Sequence, residues 1–278
     1  EGYTVFKNIL ANLGTQAINS ALNGMKKLGS AFVNVGKQAL ESYGEYEQLK
    51  GGVETLFKDS ADTILEYSQD AYRTAGMSAN EYMSTITTFS ASLIQSLDGD
   101  TQKAVEYSDR AITDMSDNAN KMGTDIGMLQ NAYQGFAKQN YTMLDNLKLG
   151  YGGTKTEMER LIKDASQMKD VQKELGIEVD ASSMSFGNIV NAISVMQKHM
   201  DIAGTTSKEA GTTIQGSANA MKSAWTNLVT GMADSNANIE DLVRNLMTTI
   251  VGDGSAENLG LLGNVLPAVN NIINGIVD

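Results

Sequence analysis

The sequence predicts an all-α protein: multiple amphipathic helices with coiled-coil-like seams, elongated and hinged at Gly-rich connections. Apolar residues recur at alternating spacings of three and four over most of the chain, which keeps one stripe of a helix facing a partner. A single Pro in 278 residues leaves the periodic segments free of the strongest helix breaker. No alternation of polar and apolar residues competes, apart from residues 177–179, a stretch too short to define a sheet.

The first helix follows Ile18, Ala21, Met25, Leu28, Phe32, Val35 and Ala39, and its register continues through Tyr46, Leu49, Val53 and Leu56. Gly51 and Gly52 are expected to interrupt it as a hinge, because glycine carries the largest backbone entropy into a helix. Ser78 and Glu81 have capping-box spacing ahead of a face made by Tyr82, Ile86, Phe89 and Leu93. Residues 97–100 read as a turn in which Asp100 or Thr101 caps the next helix.

The longest seam runs Val105, Ser108, Ile112, Met115, Ala119, Met122, Ile126, Leu129, Tyr133, Phe136, Asn140, Met143 and Leu147. As one straight helix it spans roughly 63 Å at about 1.5 Å per residue. As two helices it breaks near Gly123, with Thr124 as N-cap and Asp125 in the first turn. Both readings stand at this stage. Ile112, Met115, Met122, Ile126, Leu129, Tyr133, Phe136, Asn140, Met143 and Leu147 are the expected packing or interface positions. Asn140 either selects register by requiring a polar partner or marks where the seam turns outward.

Residues 150–153 form the clearest connection, with Gly152 and Gly153 as expected hinges. Thr154 with Glu157, and Thr156 with Glu159, are alternative capping boxes for a helix buried through Met158, Leu161 or Ile162, Ala165 and Met168. A fourth helix uses Ile189, Ile193, Met196, Met200 and Ala203. A fifth uses Ile214, Ala218, Met221, Trp225, Leu228 and Met232, with Trp225 as a packing or interface anchor. Thr206 is placed to cap through Glu209 between them. Ile239, Leu242, Leu246 and Ile250 make a last face before a Gly252-Asp253-Gly254 turn. The packing segments are 1–58, 59–150, 151–204, 205–252 and an apolar 253–278.

Composition removes most familiar chemistry. With no Cys there is no disulfide framework, thiol nucleophile or Cys/His zinc cluster, and His199 is the one candidate for a His-centred triad. Its neighbours suggest a solvent-facing or cap-adjacent imidazole. A formal charge of −12 argues against general phosphate-backbone binding and leaves no case for sequence-specific nucleic acid recognition. The ends differ: Lys7, Lys26, Lys27 and Lys37 against Glu1 give residues 1–40 a local +3. No run of eighteen apolar residues encodes a conventional membrane span, although residues 259–277 have a surface-active composition. The opening Glu1-Gly2, with no signal peptide, suggests a fragment.

Residues 150–156 resemble a phosphate loop only superficially, since Thr154 stands where glycine must precede Lys-Thr and a helix, not a strand, leads in. Asp98-Gly99-Asp100 lacks the ligand series of a calcium loop. Asp114 with Asp117, and Asp170 with Glu174, share helical faces, but spacing alone does not separate two pKa values for acid-base work. Solvated faces are the expectation for both pairs. No catalytic residue, cofactor or metal ligand is assigned.

Several runs resemble the tape measure proteins of long-tailed phages and prophages of Gram-positive bacteria. They are Gly51-Gly52-Val53-Glu54-Thr55-Leu56-Phe57-Lys58-Asp59, the runs 72–83 and 112–123, the long run 131–158 that begins Asn131-Ala132-Tyr133-Gln134-Gly135-Phe136, and 216–231 around Trp225. Their combined order covers residues from about 50 to 232, and no single run is specific. The resemblance implies a non-enzymatic helical ruler and scaffold in the virion tail, assembled in the host cytoplasm and released around genome delivery. Its implied partners are tail tube subunits, tail assembly chaperones, distal tail or tail-tip proteins, further copies of itself and, for some relatives, the host membrane. Fully helical, the chain would span at most about 417 Å. The chain lacks the long repeated coiled coil of the full-length pattern, so a segment of the ruler is expected. A compact membrane-active or tail-tip module and a tail-associated peptidoglycan hydrolase region are the alternatives, though no hydrolase motif is present.

Overall fold

The computed structural model describes residues 32–267, with side chains from 38 onward. The described residues form twelve α-helices and two 3-10 turns and contain no strand. The helices are α1 (Phe32–Phe57), α2 (Ala61–Thr74), α3 (Ala79–Thr87), α4 (Ser90–Ser96), α5 (Thr101–Met122), α6 (Ile126–Ala137), α7 (Lys155–Gln167), α8 (Lys169–Leu175), α9 (Phe186–His199), α10 (Thr205–Thr212), α11 (Ile214–Gly231) and α12 (Ile239–Val251). Helical backbone resumes over 260–267. The protein is therefore all-α, as the periodicity requires. Ile18, Ala21, Met25 and Leu28 lie outside the described residues.

The chain forms two compact units. The first joins Glu1–Gln48 to Gly211–Asp278, and the second is the continuous stretch Leu49–Ala210. Segments 59–150 and 151–204 share the second unit's core, because α9 packs against both α5 and α7.

In the continuous unit, α9 is the central element, flanked by α4, α5, α6, α7 and α8. Of residues 186–197 only Asn188 is not buried, so the helix is enclosed all round and not along the single stripe that Ile189, Ile193 and Met196 suggest. Gly187 allows this closeness: a Cβ there would lie 3.1 Å from Leu97 Cδ2 and 3.3 Å from Tyr107 Cε1. Helix α3 begins with the expected box, in which Glu81 N donates to Ser78 Oγ at 3.3 Å and Ser78 N to Glu81 Oε2 at 2.8 Å. Its face breaks before Phe89, yet Tyr82, Ile86, Phe89 and Leu93 are all buried.

Two expectations are corrected, the Gly51-Gly52 interruption and the Thr124 cap, and the choice left open for the long seam is decided. Helix α1 runs through Gly51 and Gly52 without interruption. Val53 and Phe57 beside them are fully buried, and that burial outweighs a glycine penalty of about 1 kcal/mol each. The 63 Å rod does not form. Gly123 closes α5 in the left-handed conformation at φ 67°, and Asp125, not Thr124, caps α6 by accepting from Met128 N at 3.1 Å. Thr124 Oγ1 donates instead to the Asn146 carbonyl at 3.0 Å. A further break follows Ala137, and only a 3-10 turn, Leu144–Leu147, continues the pattern. Residues 177–179 form no strand; Val179 N donates to the buried Gln172 Oε1 at 3.0 Å.

In the other unit, α11 and α12 pack together, and the Ser42 and Thr230 hydroxyls meet at 2.5 Å. Residues 211, 252 and 260 are glycines where backbones cross: Leu259 N donates to the Gly211 carbonyl at 2.9 Å, and a side chain on Gly260 would collide with the backbone of Val251 and Gly252.

Candidate functional site

The expected packing positions divide sharply. Ile112, Met115, Leu129, Tyr133, Phe136 and Leu147 are core residues of the continuous unit, brought together because α6 and the following 3-10 turn fold against α5 and each other. Met122 and Ile126 flank the Gly123 break and are half-buried. Asn140 and Met143 are exposed, and Asn140 is no register selector: its Oδ1 accepts from Thr142 N at 3.1 Å and from Thr142 Oγ1 at 2.8 Å, closing a turn. The reading in which the seam turns outward at Asn140 is the one that holds.

Gly152 and Gly153 belong to a packed loop. A Cβ on Gly153 would overlap the Thr142 carbonyl, and Gly152 N donates to Glu157 Oε2 at 3.1 Å. Thr154, not Thr156, is the N-cap, accepting from Glu157 N at 3.2 Å. Arg160 lies over the Tyr151 ring at 4.3 Å and donates to the Gly150 carbonyl at 2.9 Å. Tyr151 Oη donates to Asp164 Oδ2 at 2.8 Å. These contacts tie the loop to α7.

Helix α11 presents the exposed candidate site. Its buried side is mostly small and polar, formed by Ser217, Ala220, Ser223, Ala224, Asn227 and Thr230, with Leu228 and Val229 also buried near its C-terminal end. The apolar seam points away from that side: Ile214 is 45% exposed, Trp225 41% and Met232 54%, with Ala218 and Met221 half-buried between them and Leu228 covered. Trp225 is thus an exposed residue of an uncovered seam. Between Ile214 and Met232 the only charge is Lys222.

A second site is buried and was missed by sequence reasoning. Asp114 and Asp117 do not form a solvated face: Asp114 is 5% exposed and Asp117 0%, because residues 114–118 of α5 are enclosed on every side. Asp117 supplies the N-terminal cap of α10 from another helix, accepting from Gly204 N at 2.6 Å and Thr206 N at 2.7 Å. That replaces the local cap expected from Thr206. Burial pushes its carboxyl upward, and the two amides oppose the shift. Asp114 Oδ2 contacts Ser194 Oγ on α9, and burial pushes Asp114 up to about 7. Nearby, Tyr82 Oη donates to Asp109 Oδ1 at 2.8 Å, and Arg110 Nη1 donates to Asn191 Oδ1 at 2.8 Å while lying 5.3 Å from the Tyr107 ring centre. The Tyr133 hydroxyl and both amide atoms of Gln197 are buried without hydrogen-bond partners. The available signal was the run Ser116-Asp117-Asn118, short polar side chains where an exposed helix more often carries Lys or Glu.

Asp170, Glu174 and His199 are exposed, the last at the end of α9. Among the described residues no group of three or more carboxylates or imidazoles is placed to hold a metal ion, and no helix is long and apolar enough to cross a membrane. No protein family, curated protein or solved structure matches the chain.

Proposed function

We propose that the chain is a segment of a phage tail tape measure protein, a structural part that works by helix packing and partner contact in the virion tail. The ordered resemblance of residues from about 50 to 232 supports the family, and the uncovered seam of α11 carries the mechanical reading. A helix that buries its small polar side and leaves Ile214, Trp225 and Met232 outward is prepared for another helical surface. Tube subunits, assembly chaperones, tail-tip proteins and further copies of the chain are the partners this role offers. The seam's near absence of charge suits contact with a surface of either sign.

The ruler test is an in-frame deletion of Leu49–Ala210 within the full-length protein, read as tail length by electron microscopy. If this stretch is carried as extended helix in the tail, the column shortens by about 240 Å at 1.5 Å per residue. Normally assembled tails of unchanged length would remove the ruler role from this stretch.

A further inference from the structure

We infer that Asp114 is held in the folded protein as a neutral carboxylic acid that donates to Ser194, and that loss of this proton is the event that loosens α5 from α9. Ser194 Oγ meets two acceptor groups: the Val190 carbonyl one turn back on α9, at 3.1 Å, and Asp114 Oδ2 across the interface. A serine hydroxyl has one hydrogen. With a proton on Asp114 the two contacts form a continuous relay from carboxylic acid to hydroxyl to carbonyl; with Asp114 ionised, the carboxylate draws the single hydroxyl hydrogen away from the Val190 carbonyl.

The surroundings favour the neutral form. Among the described residues no cation forms an ion pair with Asp114. Arg110, one turn away on α5, is engaged with Asn191. Asp117 and Asp109, on the same helix, add repulsion and have their own partners in the Gly204 and Thr206 amides and in Tyr82. From α6 the Tyr133 hydroxyl lies within electrostatic reach of Asp114 and has no hydrogen-bond partner. From α9 the facing group is Ser194. The Ser194 hydroxyl and Arg110 favour the charged form, but burial outweighs them, so ionisation would put a poorly compensated charge between two helices at the centre of the unit. The fold thereby contains a proton-operated latch, closed in acid and weakened progressively as the pH rises toward neutrality, where the weakening levels off.

The test uses the intact chain in two measurements. A carbon-13 carboxyl NMR titration should show Asp114 changing ionisation near neutral pH, well apart from the exposed carboxylates; titration in the usual range near 4 would overturn the inference. Hydrogen exchange of α5 and α9 amides, taken relative to α12 amides in the other unit to cancel base catalysis, should show opening that rises nearly tenfold per pH unit between about 5 and 6.5 and then levels. Asp114→Asn, whose amide donates to Ser194 at every pH, should remove about one such tenfold step per unit. A slope identical to that of the parent chain would sink the latch. If the variant fails to fold, the titration and exchange profile of the parent chain still decide.

Discussion

Asp117 is a charged side chain fully buried to serve the end of another helix. Its two oxygens accept the amides of Gly204 and Thr206, so the start of α10 is fixed by α5 and not by its own Thr-Thr sequence. Asp117→Ala should destabilise the continuous unit by about 2 kcal/mol through two unmet donors at a helix start, with amides 204–209 exchanging fastest. Unchanged exchange there would show the cap to be unimportant. Asp114 governs the pH response. Its folded-state pKa of about 7 lies above the unfolded value of 3.8, so the folded state binds the extra proton. The associated stability is fully present below about pH 4 and declines as the pH rises, reaching about 4 kcal/mol of loss by neutrality. Burial raises Asp109 and Asp117 in the same direction. The urea midpoint of the continuous unit should therefore fall from pH 4.5 to 7.5, and a rising midpoint over that window would contradict the buried-acid assignment.

Helices α9 and α11 are read alike from sequence and have opposite fates. Both show apolar residues at helical spacing, but α9 is buried on every side and α11 leaves Ile214, Trp225 and Met232 of its apolar seam exposed. Ile193→Ala on α9 should cost about 2–5 kcal/mol, because neighbours on all sides restrict collapse around the cavity. Trp225→Ser on α11 should cost folding about 1–2 kcal/mol, less than Ile193→Ala, while weakening any association made through the seam, measured by sedimentation or partner capture. A large loss of folding stability would mean that Trp225 belongs to the core. The cap of α3 was legible, and those of α5 and α7 were narrowed to two candidates each, because a short side chain meets an amide three residues on, a relation fixed by local geometry. The cap of α10 was not, since its acceptor stands 87 residues earlier in the chain. Gly51 and Gly52 were misread for the same reason: the burial of Val53 and Phe57 that keeps α1 helical through the pair depends on distant elements.

The molecule's two units differ in how the chain builds them. Leu49–Ala210 is continuous, so as an excised polypeptide it should fold to a helical state with cooperative unfolding by circular dichroism. The other unit needs both Glu1–Gln48 and Gly211–Asp278, and neither piece alone should give a sharp transition. Trp225, the sole Trp, sits in this discontinuous unit, so its fluorescence reports that unit's unfolding and not the loss of the α5–α9 core. By itself the sequence determined the helical class, the Ser78 capping box and which apolar positions could pack, because these follow from spacing within one or two turns of backbone. Only the tertiary structure decided which apolar stripes are covered, that the long seam folds into separate helices, and that Asp114 and Asp117 lie inside. Those outcomes depend on which distant helix arrives opposite a given face, and burial by that neighbour sets the energy of each residue beneath it.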